Sequence, residues 1–177
     1  IVKHRVFLWD NYPVNDARPT MHLGPVVDRD ASICEVIDGY MGNAMQAQNE
    51  ANRIPLLTCA DYAWNPAAYD PMRSIGQAIV HLAETPAQRE VLRDLVEVYA
   101  GMLIYKEYRT TAFDSARNLY DRISAMPHAR QAALAYVEHL ERLSARLKEV
   151  FPDSYKAEKK TLDDTIAWMK QKYKKSY

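Results

Sequence analysis

A chain of 177 residues is long enough for one ordinary domain, or for a small piece plus a helical module. Hydrophobic residues at 48% and charged residues at 26% fit a folded globular chain and exclude a disordered one. Lys plus Arg balance Asp plus Glu at 23 each, which argues against a nucleic-acid partner, and no apolar run approaches the roughly 20 residues that would make a membrane one.

The first element is a short, nearly continuous apolar run at residues 5–9, Arg-Val-Phe-Leu-Trp. Strands covered on both faces read this way. Residues 10–30 read as loop, punctuated by Pro13, Pro19, Gly24 and Pro25. A helix is predicted from Ala31 to about Ile37, capped by Asp30 or Ser32. The following Asp38–Asn43 stretch is too short to assign from pattern. Ile54-Pro55-Leu56-Leu57-Thr58-Cys59-Ala60 has the composition of a strand, yet Ala51, Ile54, Leu57, Ala60 and Trp64 recur at helical spacing, and a helix over about 46–63 is the favoured reading. Pro55 would kink it or open its second part, and Pro66 would stop it. Beyond residue 70 the pattern is helical throughout. Thr85 and Pro86 cap and open one helix, with an apolar stripe of Val91, Leu95, Val98, Met102 and Tyr105. Other stripes run Ala133, Tyr136, Leu140, Leu143, Leu147, Val150 and then Leu162, Ile166, Met169, Tyr173. Such helices with short joints pack as an antiparallel bundle.

The expected fold class is therefore an α/β fragment followed by an all-α bundle, mostly helical, with the boundary near 66–71: residues 1–68 and 69–177. One strand and a weak second one do not make a stable sheet in water. Residues 1–65 read as the end of a larger α/β sheet, and the start at Ile1 as a cut inside it.

The richest local chemistry follows the first strand: Trp9, Asn11, Tyr12, Asn15 and Asp16. An aromatic wall matches the C–H face of a pyranose, and amide and carboxylate groups match its hydroxyls. Charge-assisted bonds of that kind contribute roughly 1.5–3 kcal/mol each. Ligands of parallel α/β folds bind outside the carboxyl ends of strands, where this loop lies. A plain polar turn rich in Asn and Asp has the same composition.

The run Phe7-Leu8-Trp9-Asp10-Asn11-Tyr12-Pro13-Val14-Asn15-Asp16, then His22-Leu23-Gly24-Pro25, Gly42-Asn43-Ala44-Met45 and Ala60-Asp61-Tyr62-Ala63-Trp64-Asn65-Pro66, resembles the C-terminal part of the family 84 glycoside hydrolase barrel. That family holds the protein O-GlcNAcases and bacterial β-N-acetylglucosaminidases labelled hyaluronidases. The resemblance covers about the first 70 residues in order and spacing; Ala44 departs from a frequent Pro. It implies that residues 5–11 are the seventh strand of a TIM-type barrel and 39–43 the eighth. It gives Asp16 the 4- and 6-hydroxyls of N-acetylglucosamine and Asn43 a ring hydroxyl. Asn11 falls near the acetamido group and the acid/base, and Trp9 in the pocket for the acetamido methyl. It implies retaining, substrate-assisted hydrolysis by an Asp-Asp pair on an earlier strand, so no catalytic residue is expected in this segment. The partners implied are an N-acetylglucosamine-bearing glycan or glycoprotein and the remainder of the barrel. A bacterial origin would imply a secreted or periplasmic setting.

Other features are less telling. Asp163-Asp164 lies in the last amphipathic helix and reads as solvated surface; Asp28 and Asp30 read as loop and cap residues. His4, His22, His81, His128 and His139 lack metal-site spacing, so neither metal nor cofactor is expected. Cys34 and Cys59 show no redox or metal spacing, and each is expected to fill a small apolar site. The lysine-rich end, from Lys156 to Lys175, is interrupted by acids and reads as a solvated helix face. Tyr99, Tyr105, Tyr108 and Tyr120 are expected to pack in a core. A reading from another class is a non-catalytic helical interaction module with a remnant strand.

Overall fold

The computed structural model describes residues 3–16, 20–100, 115–127 and 129–176. Met102, Tyr105, Tyr108, Pro19 and His128 fall outside them. Among the described residues lie two parallel strands and six α-helices: β1 (Phe7–Pro13), β2 (Gly39–Asn43), α1 (Asn49–Trp64), α2 (Pro71–Leu82), α3 (Pro86–Tyr99), α4 (Ser115–Ser124), α5 (Arg130–Val150) and α6 (Lys156–Ser176).

β1 and β2 pair with Phe7 opposite Gly39 and Trp9 opposite Met41. The register slips between Asp10 and Pro13, which lies opposite Asn43. β1 thus begins later than expected and continues to Pro13, where a loop was predicted. The pairing partner is some thirty residues away, so residues 10–13 could not be read as strand from their own composition. Within this chain β1 is covered on one face only. Phe7 is 67% and Trp9 61% exposed, while Asp10 between them is buried at 8%. The exposed Phe7 ring lies over Gly39 in the space a Cβ would occupy, so a larger residue there would displace that ring.

The helix predicted at Ala31–Ile37 is a 3₁₀ segment, Ala31–Glu35, with Asp30 accepting from the Ser32 N–H at 2.9 Å. None of its residues is buried, so no packing favours extending it into an α-helix. α1 runs through Pro55, and the Thr58 hydroxyl donates to the Pro55 carbonyl at 2.7 Å. It ends at Trp64, with Asn65 both closing α1 and accepting from the Ala68 N–H in the next turn.

α2 opens on Pro71, with Asp70 accepting from the Arg73 N–H at 2.7 Å. α3 opens on the Thr85–Gln88 capping box. The stripes read from spacing are the buried faces: Leu95, Leu140, Leu147, Leu162 and Met169 are 0% exposed. Tyr99 and Tyr120 are fully buried as well. One apolar cluster draws on both sides of residues 66–71, joining Met21, Leu23, Met45 and Ile54 to the helices that follow. The segment at 20–27 is loop as expected, yet it is largely buried. Leu23 N–H donates to the Tyr99 carbonyl at 3.0 Å, and a Cβ at Gly24 would collide with the Ala100 carbonyl. No helix among the described residues is long and apolar enough to cross a membrane.

Candidate functional site

Alternation along a strand sends successive side chains to opposite faces. On β1 and β2 this produces one open and one packed face. Phe7, Trp9 and Met41 lie on the open face, 67%, 61% and 46% exposed. At its carboxyl end the Asn43 side-chain amide donates to the Asn11 Oδ1 at 3.3 Å. The register slip between Asp10 and Pro13 is the irregularity that accompanies this pairing. Asn11 and Asn43 thus meet at the carboxyl end of the sheet, with Trp9 two residues before Asn11 and opposite Met41. Asp16 lies beyond the strand in an exposed turn, and among the described residues no hydrogen bond joins it to the other three.

Two of the residues read as candidate sugar ligands turn inward instead. The Tyr12 hydroxyl donates to the Gly24 carbonyl. Burial pushes that hydroxyl far above the usual phenol range. Asn15 is 6% exposed. Its amide donates to the Thr20 carbonyl at 2.6 Å and Gln48 Oε1 at 2.8 Å, and its Oδ1 accepts from the Gln46 N–H at 2.7 Å. These bonds fix the chain just before Asp16.

The packed face carries a charged cluster that pattern reading missed. The Arg29 guanidinium grips Asp10 with both forks: Nε to Oδ2 at 2.8 Å and Nη2 to Oδ1 at 2.7 Å. Its Nη1 donates to the Val27 carbonyl at 2.6 Å. The Tyr40 hydroxyl donates to Asp10 Oδ2 at 2.6 Å. The hydrogen bond to Asp10 raises the Arg29 pKa; burial, then the bond to Asp10, raises that of Tyr40. Cys59 sits beside this cluster, its thiol pushed up to about 11 mainly by burial. Around it, Tyr62 donates to the Asp30 carbonyl at 3.0 Å and Tyr69 to the Val26 carbonyl at 2.8 Å. The one sequence signal was a carboxylate at an inward strand position, invisible until the strand was known to continue past Trp9.

Chemically, the open face offers an indole and two amides, and the turn after β1 carries the exposed Asp16 carboxylate. Asp10 is held by a cation and a phenol on the opposite face and is unsuited to proton transfer toward a ligand on the open one. Asp163 accepts from Ser144 at 2.6 Å and Lys148 at 2.7 Å, and Asp164 pairs with Lys160 at 2.5 Å, so this acidic pair serves the surface of α6. Cys59 is buried as expected, but Cys34 is exposed on the 3₁₀ segment. Among the described residues no group of three or more His, Cys, Asp or Glu could hold a metal ion.

The family model described as beta-N-acetylglucosaminidase matches residues 1–97. The chain is also similar in structure to an O-GlcNAc hydrolase mutant from Thermobaculum terrenum, at 25% identity and a TM-score of 0.59, over 93% of this chain and 36% of that one. A second likeness, to CpGH84B, has 22% identity and a TM-score of 0.55, over 94% of this chain and 29% of that one. The chain thus spans about a third of the length of these solved structures. With more than half of its residues matched by that family model, the chain belongs to the β-N-acetylglucosaminidase family, the family 84 glycoside hydrolases.

Proposed function

We propose that this chain is the closing part of a TIM-type β/α-barrel glycosidase that removes terminal N-acetylglucosamine from a glycan or glycoprotein with retention. Residues 1–68 form the end of the barrel, and residues 69–177 the helical part that follows it. Trp9, Asn11, Asp16 and Asn43 bind the sugar. The catalytic Asp pair belongs to a segment upstream, and the substrate's own acetamido group forms the oxazoline intermediate. This chain alone is inactive on that reading.

The observation that carries the reading is the grouping of Asn11 and Asn43, 3.3 Å apart, beside an exposed indole on the open face of a parallel strand pair. Parallel pairs are normally covered on both faces, so this face has the character of a barrel interior awaiting its other strands. Amides near an indole can order a pyranose through its hydroxyls and C–H face. The packed Asp10–Arg29 side cannot, because its polar atoms are already engaged.

The test is reconstitution. The chain is combined with the upstream barrel segment of a family member and offered an aryl N-acetylglucosaminide. Release of the aryl group by the combination, and by neither part alone, is the expected result. Hydrolysis by the chain alone, or none from a folded combination, overturns the proposal.

A further inference from the structure

Several polar side chains that neither the sugar-binding face nor the Asp10 cluster uses meet around the start of α1. The first of them lies on α6, far along the sequence from the rim. Glu158 is 0% exposed, and its Oε1 accepts from the Ala51 N–H at 2.9 Å. That N–H belongs to the first turn of α1, where Gln48 supplies no side-chain cap, so α6 provides the acceptor that the local sequence lacks. One turn on, the Thr161 hydroxyl lies 3.4 Å from Gln48 Nε2. Gln48 Oε1 in turn accepts from Asn15, the residue immediately before Asp16. Asn52 accepts from the Met45 N–H and donates to its carbonyl, both at 2.8 Å.

These bonds surround the turn between Asn43 at the end of β2 and Asn49 at the start of α1. That turn contains Ala47 at φ 65°, a left-handed conformation that alanine keeps only when its surroundings impose it. Gln48, Asn15 and Asn52 are buried at 5%, 6% and 6%. Their hydrogen bonds are therefore shielded from water and costly to break. The turn cannot shift without disturbing α6, and both Asn43 and Asp16 are anchored to it.

We propose that α6, through Glu158 and Thr161, is a positioning element for the sugar-binding rim. Thr161 acts on Asp16 through Gln48 and Asn15. Glu158 acts on Asn43 through the first turn of α1. The proposal rests on the sugar-site reading above and extends it: the helical part sets substrate affinity while touching no substrate.

The test uses Thr161→Val, Glu158→Ala and Glu158→Gln, with Asp16→Ala as control. In the full chain, amide hydrogen exchange is followed residue by residue. Thr161→Val and Glu158→Ala should speed exchange about tenfold in the 45–52 turn and at Asn15 and Asp16, leaving α3 and α5 unchanged. An increase confined to α6, or one spread evenly over the chain, overturns the proposal. In the reconstituted enzyme the same two variants should raise KM about fivefold with kcat nearly unchanged, the mark of lost uniform binding. Glu158→Gln keeps the acceptor for Ala51 and should restore KM, which a general loss of fold would not allow. If Asp16→Ala raises KM and the α6 variants do not, the positioning role is wrong. If Asp16→Ala leaves KM unchanged, the sugar-site reading itself fails, and the role of α6 with it.

Discussion

At the scale of single residues, Asp10 is the hinge between fold and site. Its neighbours Trp9 and Asn11 face the open side, while its own carboxylate is held from behind by Arg29 and Tyr40. Removing it leaves a guanidinium at 22% exposure and a phenol without their acceptor. Asp10→Ala should cost about 2–3 kcal/mol, somewhat under the value for a fully buried pair because Arg29 keeps some solvent. Asp10→Asn, which preserves an acceptor, should cost less. Urea denaturation of the two variants checks the order. The cysteines give a second residue-level expectation. Cys34 is exposed, whereas Cys59 is buried with its thiol raised to about 11. A thiol reagent near neutral pH should therefore modify Cys34 at once and reach Cys59 only on unfolding. Rapid modification of both in the native protein would contradict the packing of α1 on the sheet.

At the scale of elements, the first turn of α1 joins the strand pair to α6, and this join is expected to respond to pH. Burial is the main reason the Glu158 carboxyl sits above its ordinary value, with the Ala51 N–H pulling the other way. The folded state thus holds the proton more tightly than the unfolded chain does. This contribution to stability is fully present below the unfolded value and is lost as pH rises through the folded one. The stability of the wild type relative to Glu158→Gln should accordingly increase as pH falls through the window above the ordinary carboxylate range. Parallel denaturation midpoints at every pH would contradict it. The elements themselves were unevenly legible. α3, α5 and α6 announced themselves because each buries one stripe, and Thr85-Pro86 marks a helix start. The segment from Asp10 to Pro13 did not, since polar residues in a strand look like a turn until the partner strand is known. α1 was ambiguous because Ile54–Ala60 has a strand-like composition, and the helix it forms buries Asn52, Pro55 and Thr58 alongside Ile54.

At the scale of the whole molecule, the chain is a strand pair with one open face, backed by α1 and held to a helical bundle by a shared core. The motif from Phe7 to Asp16 carried the family, and the resemblance alone nominates Trp9, Asn11, Asp16 and Asn43 as the proposed sugar ligands. What pattern reading could not see were the supports: Arg29 is 19 residues and Tyr40 30 residues from Asp10, and Glu158 lies 107 residues from Ala51. Contacts over such separations leave no periodic trace, because each partner alone reads as an ordinary surface residue. The most direct measurement is a crystal structure of the reconstituted enzyme with N-acetylglucosamine bound. The account predicts the ring at the carboxyl end of β1 and β2, against Trp9, with Asn11, Asp16 and Asn43 side chains within about 3.2 Å of its polar atoms. A sugar bound elsewhere, or bound there without Asp16 and Asn43, would contradict it.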